Sequence, residues 1–261
     1  MFLFGALLLI VRVTETGAVS CLDDDGNPVE WFIGYKFPGG YEYVVLIPGS
    51  TSWNKSANKV HQDGMMKNTF EAMYHLNDTP NSFYGMYNDE KPGELLFASH
   101  YWWGHMKGAL SFELGKGGFW LIHSIPKLSE LTGTYKYPST GRIYGQHFFC
   151  VSLPDTCLPQ IVTQLVIARP LFQDSYLAPK LAALYPNLSL ILNNSLVRST
   201  PHSIVNLSSL HGSLKMKHFS KSHAYGSGKS FSADCLFCVL LEFSLVTACL
   251  IRWNLKSVFL Y

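Results

Sequence analysis

His105 and Lys107 stand two residues apart, with Met106 between them and Gly104 and Gly108 on either side. The chemistry such a pair offers is phosphoryl transfer. Neutral imidazole can attack phosphorus, and an ammonium is a point-charge partner for phosphate oxygens. In an extended segment the side chains at i and i+2 share a face, so both groups can converge on one small anion. The two glycines present no side chain to a ligand approaching the backbone. The spacing alone is a cheap coincidence, and a solvated strand face accounts for most such pairs.

The elements that would position the pair are legible as hydrophobic periodicity. Residues 43–47, 94–98, 107–113, 119–124 and 147–153 read as strands, and residues 65–76 and 173–185 read as helices. Gly115, Gly117 and Gly118 punctuate two apolar runs, which predicts a hairpin joining the His105/Lys107 strand to the strand carrying His123. Interleaved strands and helices predict an α/β fold, a mixed sheet with flanking helices. No internal repeat is visible.

The 261 residues are 48% hydrophobic and 15% charged, which argues for a packed globular protein of one sizeable or two small domains. The formal charge of +2 rises to about +12 if all ten histidines protonate, strengthening attraction to a polyanion at acid pH. No Lys/Arg-rich run marks a nucleic-acid patch, and Lys55, Lys59 and Lys67 read as a solvated face. Trp102 and Trp103 could stack on bases, although aromatic pairs are more often core. Gly228, Lys229 and Ser230 imitate the end of a phosphate-binding loop, but His223 stands where its first glycine is required.

The two ends differ from the middle. Residues 2–11 are an apolar run too short to span a bilayer, and Ala18, Val19 and Ser20 supply the small residues a signal peptidase reads. Residues 1–20 are therefore expected to be a signal peptide, with cleavage before Cys21. Residues 222–261 form a divergent tail in which 235–251 are apolar apart from Glu242 and a few small polar residues. That length is at the short limit for a membrane span, and Glu242 within it makes a membrane anchor the runner-up reading of this tail. Glycosylation acceptors at Asn54, Asn77, Asn187, Asn193 and Asn206 support a secretory route. Cys157 has no obvious partner, and Cys235 with Cys238 has half-site spacing without a second pair.

Several motifs taken together resemble the deoxyribonuclease II family. They are the stretch from Gly104 to Gly108; Gly117 through Pro126; Tyr144, Gly145 and Gln146; and Cys150, Val151 and Ser152. Earlier in the chain they are Pro28 through Phe32 with Tyr35, Lys36 and Pro38, and the triplet Tyr87, Asn88 and Asp89. The resemblance runs from about Cys21 to about Lys221, and residues 21–221 form its domain. It implies an acid endonuclease with a phospholipase D-like fold that needs no metal or other cofactor. Two related halves would each donate a His-x-Lys pair to one site acting on DNA, in a secreted or lysosomal setting. It further implies that His105 is the nucleophile forming a phosphohistidine, that Lys107 stabilises the phosphoryl oxygens, and that His123 matches a family histidine that assists. The histidine of the second pair would protonate the 5′ oxygen and then activate water, leaving 3′-phosphate ends. Cys21 and Cys150 match positions that the family joins by a disulfide.

One departure stands beside these matches. Of the ten histidines only His105 has lysine two positions on, and the three-residue step from His218 to Lys221 puts those side chains on opposite faces of a strand. The chain thus reads as a phospholipase D-like half-domain with an incomplete second half. It would be a nuclease impaired by loss of the second pair, active through a second copy in a homodimer or represented here with a truncated or intron-read-through end in place of the family's second half. The alternative is a non-catalytic secreted relative that binds DNA or a protein.

Overall fold

The run Gly117–His123 is buried at all seven positions without alternation, as a strand covered on both faces must be. It lies near the centre of an eight-stranded sheet in the computed structural model of the chain. That structure describes residues 18–76, 79–90, 103–128 and 133–222, and the backbone of 237–243 and 246–252. The chain begins with β1 (Cys21–Leu22), β2 (Pro28–Val29), β3 (Trp31–Lys36), β4 (Tyr43–Leu46), β5 (Asn54–Lys55) and α1 (Met65–Tyr74). It continues through β6 (Ser82–Asn88), β7 (Lys107–Glu113), β8 (Gly117–His123), β9 (Gln146–Leu153), α2 (Leu158–Ala168) and β10 (Phe172–Leu177). The remaining elements are α3 (Pro179–Leu184), α4 (Pro186–Leu192), β11 (His202–Ser208), β12 (Lys215–Lys221), β13 (Phe237–Phe243) and β14 (Val246–Arg252).

The large sheet has the order β10-β6-β7-β8-β9-β3-β4-β5. Its ladders are all antiparallel. Strand alternation sorts its side chains into two cores. On one face Phe32, Tyr84, Phe119, Leu121 and Phe148 pack against Met66, Phe70 and Met73 of α1. On the other, Leu110, Phe112, Trp120, Phe149 and Val151 meet Ile161 and Leu165 of α2, Leu188 of α4 and Met216 of β12. Each such side chain contributes roughly 1.5–3 kcal/mol when fully buried. Gly34 is glycine because Phe148 lies flat over it: a Cβ there would stand 1.9 Å from the ring. Cys21 and Cys150 form a disulfide with their Cα atoms 5.9 Å apart, tying β1 to β9 as the family resemblance implied.

The mixed α/β layering is as the periodicity predicts, and the β7–β8 hairpin turns at Gly115 with φ of +79°. The helix read over 173–185 is a difference. Its first half is β10, which completes the ladder of β6, and Pro179 starts α3 as a separate helix. Pairing with an open sheet edge outweighs local helical preference there. Helix α2 escaped the sequence reading because its apolar residues cover most of its circumference and erase the 3.6-residue stripe. In the tail, β13 pairs with β12 and β14 with β13, so the apolar run completes a separate four-stranded sheet of order β11-β12-β13-β14. Among the described residues no helix is long and apolar enough to cross a membrane. Val19 and Ser20, read as part of the leader, are buried, and Val19 packs in the α1-side core. The leader before residue 18, the strand read over 94–98, Asn77, Trp102 and Gly228 to Ser230 lie outside the described residues.

Candidate active site

Three strand ends meet at one edge of the large sheet: β6 finishes at Asn88, β7 starts at Lys107 and β8 finishes at His123. Asn88 pairs with Lys107, and Gly108 pairs with Ile122, so Lys107 and His123 are neighbours across the ladder. Strand parity puts both on the α1 side of the sheet.

His105 is not on the strand, which corrects the shared-strand expectation. Met106 N–H donates to the Gly104 carbonyl at 2.8 Å, making a three-residue turn with His105 at its apex. Gly104 N–H donates to the Arg169 carbonyl at 2.8 Å and anchors that turn to the end of α2. The flanking glycines serve packing rather than ligand access. A Cβ on Gly104 would lie 2.2 Å from the Ala168 carbonyl oxygen, and one on Gly108 2.3 Å from the Tyr87 hydroxyl. That hydroxyl accepts from Trp120 Nε1 at 2.9 Å.

What brings the pair together is Asp89, the first residue after β6. Its Oδ2 hydrogen-bonds Nδ1 of His105, and its Oδ1 accepts from Nζ of Lys107. Glu90 Oε1 lies 3.4 Å from the same ammonium. Burial by itself would raise the Asp89 carboxyl. The His105 hydrogen bond and the charges of Lys107 and His105 outweigh that effect and hold it below the usual range. An ionised carboxylate only accepts, so Nδ1 carries the hydrogen and Nε2 is left as the second nitrogen of a side chain 42% exposed. Lys107 is 3% exposed and sits behind it. Asn88 braces the turn: its Nδ2 donates to the Ile125 carbonyl at 3.2 Å, and its Oδ1 accepts from Glu90 N–H at 3.0 Å.

His123 is fully buried. Its Nδ1 accepts from Ile125 N–H at 3.2 Å, and its ring centre is 6.4 Å from that of Phe70. Burial, aided by the charges of Lys107 and His147, lowers its pKa to about 3. Burial likewise lowers His147 to about 4 and His218 to about 3. Three of the ten histidines are thereby withdrawn from the acid-driven charge rise read from composition. His218 packs against Trp120 and Gln164, on the face opposite Lys221.

Asp89 and Glu90 escaped the sequence reading as site residues; Asp89 entered it only as one letter of a motif. The available signal was electrostatic, because a lysine inside a sheet needs a counter-charge and these acids follow an otherwise apolar strand. Of the glycosylation acceptors, Asn54, Asn187, Asn193 and Asn206 are exposed, on β5, α4, the end of α4 and β11. Cys157 is a free thiol, and burial raises its pKa.

The family model for deoxyribonuclease II matches residues 20–229. The chain is 32% identical over 234 residues to deoxyribonuclease-2-alpha of Rattus norvegicus, covering 84% of this chain and 66% of the relative. It is 31% identical to deoxyribonuclease-2-beta of Mus musculus, covering 82% and 62%. It is also 31% identical to plancitoxin-1 of Acanthaster planci, covering 87% and 67%. The chain thus spans about two thirds of the length of these relatives.

Proposed function

The chain belongs to the deoxyribonuclease II family, and from that membership and the geometry around Asp89 we propose that it carries one half of an acid endodeoxyribonuclease site that works without a metal. The observation that supports this most is the single carboxylate holding Nδ1 of His105 and Nζ of Lys107. In the proposed reaction Nε2 of His105 attacks phosphorus. A P–N bond forms, the P–O5′ bond breaks, and its electron pair leaves with O5′. Asp89 stabilises the imidazolium that results, and the Lys107 ammonium, 3% exposed and paired with Asp89 and Glu90, supplies positive charge from behind the site rather than a direct contact with the phosphate. O5′ takes a proton from a general acid that the family draws from its second His-x-Lys pair. Water then cleaves the P–N bond, giving a 3′-phosphate. His123, shielded from solvent, enters as a positioning residue behind Lys107. The substrate class is DNA, and the setting is the secretory pathway, as a secreted or lysosomal glycoprotein.

A second reading is a non-catalytic secreted relative that binds DNA or a protein. It is favoured by one observation: within these 261 residues no other histidine has lysine two positions on. Cleavage of plasmid DNA at acid pH in excess chelator, with 3′-phosphate ends detected by phosphatase-dependent primer extension, supports the first reading. DNA binding without cleavage at any enzyme concentration supports the second.

A further inference from the structure

Lys36 is fully buried yet takes no part in the site described. It is the last residue of β3, and its ammonium donates to three backbone carbonyls: Phe37 at 2.8 Å, Gly40 at 2.9 Å and Arg142 at 3.0 Å. Burial lowers its pKa to about 8, so at acid pH all three hydrogens are present to be donated. These bonds clasp two loops, 37–40 and 142–145, and a fourth bond joins the same loops: Gly39 N–H to the Ile143 carbonyl at 3.0 Å.

The clasped loops hold up apolar side chains that no core claims. Tyr144 is 71% exposed, Ile143 61% and Phe37 39%. The Phe37 ring meets Tyr35 edge-on at 5.6 Å, and Gly145 packs on the Tyr35 hydroxyl, where a Cβ would lie at 2.5 Å. Arg142 is exposed beside them. Single exposed apolar residues are ordinary, but three on two loops pinned together by a buried charge are not.

Antiparallel order places this group at the same end of the sheet as the Asp89 site. The end of β3 and the start of β9 lie on the edge where β6 ends and β7 begins. From β7 to β3 is three strand spacings, about 14 Å. That is about four steps along one strand of a nucleic acid. We propose that Phe37, Ile143 and Tyr144 form a shelf on which unpaired nucleobases stack, a few nucleotides from the phosphate addressed by His105, with Arg142 beside the same stretch of strand. The shelf rests on the reading of that site as a nucleic-acid site. Aromatic faces suit bases of any sequence, and a neighbouring guanidinium suits both bases and phosphates.

The test uses the full chain carrying His105→Ala to prevent cleavage, in chelator at about pH 5. Fluorescence anisotropy compares a labelled single-stranded oligonucleotide with an abasic oligomer of equal length. The base-bearing strand should bind more tightly than the abasic one. Tyr144→Ala and Phe37→Ala should each weaken the base-bearing strand about tenfold and leave the abasic one unchanged, while Tyr144→Phe restores binding. If both alanine variants bind the two oligomers as the parent does, the shelf is overturned while the site reading stands. If the parent binds neither oligomer, the nucleic-acid reading falls and the shelf with it.

Discussion

Asp89 takes the Nδ1 hydrogen of His105 on its Oδ2, and this fixes the tautomer of the histidine. The contact crosses sixteen residues of sequence, and it joins the end of one strand to a turn leading into the next.

Replacing Asp89 by Asn should destabilise the fold by about 3 kcal/mol, because the buried Lys107 ammonium loses the nearer of its two counter-charges. The Asp89 carboxyl is lowered in the fold, so the stability it contributes is present above the unfolded value near 3.9 and lost as pH falls through the folded one. Urea melts at pH 7 and pH 5 should therefore show the same difference between wild type and D89N, shrinking below about pH 4. Equal stability of the two proteins at pH 5 would contradict the arrangement.

Buried histidines act in the same direction, but in a higher pH window. Unfolded histidine takes up its proton near pH 6.5, whereas folded His123 stays neutral to about 3. The protein therefore loses stability as pH falls through that window, by up to about 1.4 kcal/mol per unit for each such residue. His123→Gln, neutral throughout, should flatten the acid limb of a stability–pH curve by about that slope, whatever it costs at pH 7. An unchanged slope would show that His123 protonates in the fold.

Turnover by a monomer of this chain should be slight at any pH, since in the proposed reaction His105 supplies only the nucleophile and no other histidine of these 261 residues has lysine two positions on. Activity that rises with the square of protein concentration would place a completed site across two copies, and His105→Ala should abolish it. Robust, chelator-resistant cleavage by a monomer verified by light scattering would falsify the half-site account.

The Cys21–Cys150 bridge spans 129 residues of sequence. In the chain-entropy model closing such a loop contributes about 4–5 kcal/mol. Cys150→Ser, or reduction, should lower the urea midpoint accordingly. A variant as stable as wild type would show that the residual order of the unfolded chain already brings these ends together.

Hydrophobic order along the chain was enough to place the hairpin of β7 and β8, the strand β9 and the helix α1, because alternation and 3.6-residue stripes are local properties. Motif order was enough to name the family and its disulfide. The helix α2, apolar on most sides, and the strand β10, which exists because β6 offers it an edge, depend on what covers them. Tertiary structure alone decided the chemistry-bearing contacts. It moved His105 off the strand onto a turn anchored by Arg169, brought Asp89 from another strand end to both site residues, and buried His123. It also set a shelf of exposed side chains at the same sheet edge through Lys36, which entered the sequence reading only as one letter of a motif. The physical reason is common to all of these: a charge or a ring acquires its role from the groups that desolvate and pair with it, and those arrive from distant parts of the chain.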